Sequence, residues 1–157
     1  MIRSWMTLIP MIPMILMPLA YASDYGDVTN VDVVRVYDGD TITVNIPTWP
    51  SIIGNKIGVR IFGIDTPELR TKCAEEKKLA IKAREFVKDK INKANRVDLK
   101  EILRGKYFRI VAKVLIDNKD ISDVLIAQGL AVPYFGGTKT HRWCEPMINA
   151  TTNRLDM

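Results

Sequence analysis

Valine recurs through Val31–Tyr37, and apolar and polar residues alternate again over Thr41–Ile46, the patterns of two strands. Asp38-Gly39-Asp40 between them is a turn sequence, so the two runs form a hairpin. A loop with Pro47, Pro50 and Gly54 leads to a third strand over Lys56–Ile64. Asp65-Thr66-Pro67-Glu68 then leaves the sheet, because Pro67 has no N–H to give a ladder. From Thr71 to about Asn95 the period changes: Leu79, Ala83, Phe86, Val87, Ile91 and Ala94 recur at helical spacing among lysines and acids. A fourth strand follows over Val97–Leu103, a turn at Arg104-Gly105, and a fifth strand over Tyr107–Ile116. Ile121–Gln128 is a short helix with Ser122 placed to cap it and Gly129 at its end.

The order predicts an α+β protein that is mainly β. It fits a five-stranded OB-fold Greek-key barrel, with one long helix between strands 3 and 4 and a short helix after strand 5. The domain spans residues 31–135, after a mobile lead-in at 23–30 and before a tail at 136–157 that shows no period. At 157 residues there is room for one compact domain.

Residues 1–22 stand apart. Arg3 is followed by an apolar run that ends at Ala20-Tyr21-Ala22, the layout of a signal peptide with its cleavage site. A membrane anchor is the alternative, but Pro10, Pro13 and Pro18 interrupt a run already short for a span. Export to the periplasm or medium is therefore expected, with no stable membrane association once the signal is removed. Cleavage would leave 22 basic and 18 acidic residues, a net +4, compatible with a polyanionic partner without demanding one. Cys73 and Cys144 are either a disulfide between the start of the long helix and the tail, or two free thiols. With one histidine, His141, they give no zinc-site spacing.

Carboxylates gather at strand ends. If the second and third strands pair, Asp40 and Asp65 can converge on a hard cation such as Ca²⁺ or Mg²⁺, with the Thr66 carbonyl as a further ligand. Without a cation, two such carboxylates repel each other. Glu68 is placed to orient or deprotonate a water. Arg109 is a guanidinium near a strand start, but Arg60 lies five residues before Asp65, and an odd offset along one extended strand points it to the opposite face unless a bulge or barrel curvature intervenes. A cation, two arginines and a carboxylate base are what phosphodiester cleavage needs.

VYDGDTI, VRIFGIDTPE, KYFRIVAKV and DVLIAQGLA together resemble the staphylococcal nuclease (thermonuclease) family, over Val31 to Tyr134. The resemblance implies an OB-fold, Ca²⁺-dependent phosphodiesterase that cuts DNA and RNA and leaves 3′-phosphate ends. It implies Asp40, Asp65 and Thr66 as calcium ligands, Arg60 and Arg109 as phosphate-binding catalytic arginines, and Glu68 as the general base. Asp38 matches an acidic position behind the ligands, Lys106 and Tyr107 match positions that contact nucleotide phosphate, and Tyr134 matches a tyrosine of the nucleotide pocket. Tyr107 and Tyr134 would favour single-stranded or unpaired substrate. A monomer is expected. Phe108 stands where the family has glycine, the segment Leu69–Glu75 is short, and the tail lacks a long helix. The alternative function is an inactive OB-fold module that only binds nucleic acid.

Overall fold

The computed structural model describes residues 25–144. The apolar leader lies outside the described residues, as does the end of the tail. The elements in chain order are β1 (Asp32–Val36), β2 (Thr41–Asn45), α1 (Ser51–Gly54), β3 (Ile57–Ile61), β4 (Ile64–Asp65), α2 (Ala74–Asn92), β5 (Val97–Arg104), β6 (Ile110–Ile116), β7 (Lys119–Asp120), α3 (Ile121–Ala127) and β8 (Val132–Pro133).

The five predicted strands are β1, β2, β3, β5 and β6, and they form one curled sheet in the order β1-β2-β3-β6-β5. The β3–β6 pair is parallel and the others are antiparallel. This is the OB-like α+β barrel that the pattern predicted, with β7 added beside β6 and a separate pair formed by β4 and β8. Alternation decides which side chains fill it. Ile42, Val44, Val59, Ile61, Ala112 and Val114 point inward and are buried. Thr41, Thr43, Gly58, Arg60, Val111 and Lys113 take the other face and are only half-buried.

The helices close the barrel. In α2, Ala80, Ala83 and Val87 are buried, while Phe86 and Ile91 pack partly against the core. Ala83 sits under the β1–β2 turn: a Cβ built on Gly39 would lie 2.8 Å from Ala83 Cβ and 2.9 Å from Thr66 Cγ2. Gly39 is thus required for the turn to lie flat between the helix and Thr66. The helix begins at Ala74, three residues later than predicted, because Thr71 Oγ1 and the Glu76 carboxylate organise the preceding turn.

In α3 the cap differs from the expectation. Asp120, not Ser122, caps the helix by accepting from Ser122 N at 2.8 Å. Ser122 Oγ instead donates to Phe62 O at 3.0 Å, tying α3 to the turn after β3. Gly129 ends the helix in the left-handed region as predicted (φ 64°), and Leu130 N donates to Leu125 O.

The lead-in is paired over its described part. Tyr25 and Val28 donate to Ile102 and Leu99 of β5, and Val28 and Gly26 accept in return, so this segment lies along β5. Cys73 and Cys144 are joined in a disulfide that ties the start of α2 to the tail across 71 residues. Among the described residues no helix is long and apolar enough to cross a membrane.

Candidate active site

The β1–β2 turn delivers Asp38 and Asp40, both buried. Asp40 Oδ2 accepts from Thr66 N at 3.2 Å, and Asp38 Oδ1 accepts from Asp40 N at 3.3 Å. Ile61 N donates to Asp40 O at 2.8 Å, which fixes the turn against the end of β3. Asp65 ends β4, where pairing with Val132 of β8 holds it, and its side chain is only 3% exposed.

Arg60 is where the parity argument fails. The strand predicted over Lys56–Ile64 is two strands, β3 and β4, broken at Phe62-Gly63, with Gly63 at φ 84°. The turn removes the extended path on which the odd offset was counted, and Arg60 and Asp65 meet. Arg60 Nη1 is in direct contact with Asp40 Oδ2, while Nη2 donates to Ile64 O at 3.0 Å and lies 3.6 Å from Asp65 Oδ1. One guanidinium therefore spans both carboxylates. Burial pulls the Arg60 guanidinium down from its ordinary value, while Asp65, Asp38 and Glu68 pull the other way. Burial also pushes the Asp38 carboxyl up, and the Glu68 charge adds to that.

Glu68 lies on the exposed segment before α2. Its N–H donates to Glu76 Oε1 at 3.1 Å, and Glu76 Oε2 accepts from Thr71 Oγ1 at 2.6 Å. Glu76, at the third position of the helix, thus braces the short Leu69–Glu75 segment and places Glu68 at the rim. Lys139 of the tail joins the two halves of the acidic cluster: its Nζ is 2.7 Å from Asp65 Oδ1 and 2.7 Å from Glu68 Oε1. Trp143 Nε1 donates to Asp65 Oδ2 at 3.3 Å.

Arg109 reaches the same sheet face as Arg60 by register. Parallel pairing sets Val59 opposite Ile110 and Arg60 opposite Val111, so Arg109 falls beside Gly58. A Cβ on Gly58 would come within 3.0 Å of Arg109 Cγ, so the stem of Arg109 crosses the strand only because residue 58 has no side chain. Arg109 is near enough to add a repulsive charge to Arg60, yet no carboxylate pairs with it among the described residues.

The turn that carries Arg109 has Phe108 where the resemblance implies glycine, and it closes on its own hydrogen bonds. Arg109 N donates to Lys106 O at 3.2 Å and Gly105 N to Arg109 O at 2.8 Å, while Tyr107 and Phe108 take φ values of 56° and 62°. These left-handed values define a turn that prefers glycine at its second central position. Phe108→Gly is expected to stabilise the protein by about 1 kcal/mol, seen as a higher urea midpoint at unchanged slope. An unchanged or lower midpoint would show that Phe108 is unstrained.

Lys106, Tyr107 and Phe108 project into solvent, with Tyr107 87% exposed. Tyr134 follows β8; its N–H donates to Gly63 O, and its hydroxyl donates to Gly137 O at 2.7 Å. It stands beside the β3–β4 turn, engaged with the tail. The tail contacts of Lys139 and Trp143, and the roles of Gly58 and Glu76, carry no periodic or motif signal. Only the fold brings them to the site.

The donor set suits a hard cation. Among the described residues there is no cluster of three or more His, Cys, Asp or Glu side chains with metal-site geometry. The set here is two carboxylates with the main-chain carbonyl of Thr66. Asp65 Oδ1 is buried and accepts no directed hydrogen bond. Only the charges of Lys139 and Arg60 face it. A buried carboxylate oxygen met only by side-chain cations, beside a second buried carboxylate, is chemistry that Ca²⁺ or Mg²⁺ also satisfies.

An OB-like barrel with an acid-and-arginine cluster on its rim suits a protein that handles nucleic acid. Residues 58–152, more than half the chain, match the family described as staphylococcal nuclease homologue, and the chain belongs to that family. The matched span holds Arg60, Asp65, Thr66, Glu68 and Arg109 and begins after Asp38 and Asp40. No curated protein matches the chain. Membership supports a nuclease-like or nucleic-acid-binding role, with nucleic acid as the partner.

Proposed function

We propose that the protein is an exported, Ca²⁺-dependent, sugar-nonspecific nuclease that hydrolyses DNA and RNA to 3′-phosphate products. The observation that carries this is Arg60: one guanidinium on the barrel rim touches both Asp40 and Asp65, beside Glu68 and on the same sheet face as Arg109. The leader sequence and the Cys73–Cys144 bridge both suit an oxidising compartment outside the cytoplasm.

Asp40, Asp65 and the Thr66 carbonyl would hold the cation, which when bound stabilises charge growing on the phosphate and provides a place for the attacking water. Arg60 and Arg109 bind the phosphate oxygens and stabilise the added negative charge in the transition state. Glu68 takes the proton from the water as its oxygen bonds to phosphorus. The bond to the 5′ oxygen breaks, that oxygen takes a proton from solvent, and the phosphate stays on the 3′ side. Asp38 lies behind the ligands and orients Asp40.

The surface around Arg109 supports unpaired strands as substrate. Tyr25, Trp49, Ile53 and Phe108 line a groove of about 400 Å³ with Arg104 and Arg109, and no carboxylate lines it. Exposed rings beside arginines suit bases whose faces are free, with phosphates at the cationic edge. End-labelled oligonucleotides test the proposal. Single strands should be cut faster than the matched duplex, leaving 3′-phosphate ends. Equal rates would refute the strand preference, and 5′-phosphate products would refute the stated bond cleavage.

A further inference from the structure

The tail enters the acidic site at the point where a cation would be needed. Lys139 Nζ lies 2.7 Å from both Asp65 and Glu68, the carboxylates assigned to cation binding and to base catalysis. Trp143 donates to the other oxygen of Asp65, so both oxygens of that ligand face the tail. The approach is anchored at both ends. The Tyr134 hydroxyl donates to Gly137 O before Lys139, and the disulfide fixes Cys144 to Cys73 after Trp143. In between, Gly136 and Gly137 take φ values of 104° and 86°, which lets the chain turn back over the rim.

We propose that residues 136–144 are a built-in occupant of the active site, in which the Lys139 ammonium competes with the divalent cation for Asp65 and also neutralises Glu68. The proposal rests on the cation-site reading above and adds its regulation. Cation binding requires Lys139 and Trp143 to withdraw, and the disulfide keeps them close, so the site is gated by a high local concentration of its own competitor. A ligand that must wait for a minor open state binds more weakly by the fraction open.

Calcium binding to the full mature chain, measured by titration calorimetry without nucleic acid, tests this independently of activity. Lys139→Met is expected to bind Ca²⁺ about tenfold more tightly than the wild type, as when the occupied form dominates roughly ten to one. Lys139→Arg, which keeps the charge, should bind like the wild type. Trp143 fluorescence in the wild type should change in step with calcium occupancy, because its contact to Asp65 is lost. A Cys73→Ser/Cys144→Ser double variant should also bind more tightly, with its melting curve checking that it is folded. Equal or weaker binding by Lys139→Met would overturn the occupant while leaving the cation site standing. No calcium binding by either protein would overturn the cation site itself.

Discussion

Arg60→Met should separate two roles that one side chain performs. Its guanidinium is the nearest countercharge to Asp40 and one of two cations facing Asp65, and both carboxylates are almost fully buried. Removing one partner of a buried ion cluster leaves charge without compensation, so stability should fall by about 3–5 kcal/mol in chelator. Added Ca²⁺ should return much of that loss, because a divalent ion neutralises the same two carboxylates. The rate should not return. An arginine that stabilises charge on the transferring phosphate is worth about 10²- to 10³-fold, and the cation supplies no substitute for its donors. Denaturant curves and cleavage rates, each with and without Ca²⁺, read the two effects apart. Full recovery of both would make Arg60 a structural counter-ion only.

Glu68→Gln should have the larger effect on rate and almost none on stability. The Glu68 side chain is 52% exposed and pairs with Lys139, so little packing is lost. Glutamine keeps the shape and loses the basicity, and a general base contributes about 10²- to 10⁴-fold. The variant should melt with the wild type and cut slower by that factor at saturating substrate. A variant as active as the wild type would move the base to another group, or to solvent.

Most of the barrel was legible because β2, β3 and β6 each bury one face. Alternation in Thr41–Ile46 and Tyr107–Ile116 marks that face directly, and the change to helical spacing after Thr71 marks α2. What was misread has local causes. The segment Lys56–Ile64 looks like one strand because Phe62 and Ile64 are apolar, while a single glycine at positive φ turns the chain and reverses the consequence for Arg60. Ser122 looks like a cap, but Asp120 immediately precedes the helix and its side chain takes the capping bond, which frees Ser122 to bond Phe62. The lead-in is polar and reads as mobile, yet its main chain pairs with β5, and main-chain pairing leaves no mark on side-chain type.

The site divides in the same way. Asp40, Asp65, Thr66 and Glu68 sit in motifs, and the fold places them near one another. Arg109 arrives by a route no motif states, through the parallel β3–β6 register and the missing side chain at Gly58. Lys139 and Trp143 lie 71 residues or more from the groups they touch, in a segment without period. The pairing of Cys73 with Cys144 was one of two open readings, and in the bonded form it is what brings that segment to the rim.

The central claim is that this rim is a cation-dependent phosphodiesterase centre. The most direct test is cleavage of supercoiled plasmid by the mature protein in Ca²⁺, in Mg²⁺ and in EDTA. Relaxed and linear products in Ca²⁺, absent in EDTA and restored by readding the ion, are the predicted result. Intact plasmid under every cation, from protein shown to be folded, would contradict it and leave the barrel as a module that binds nucleic acid without cutting it.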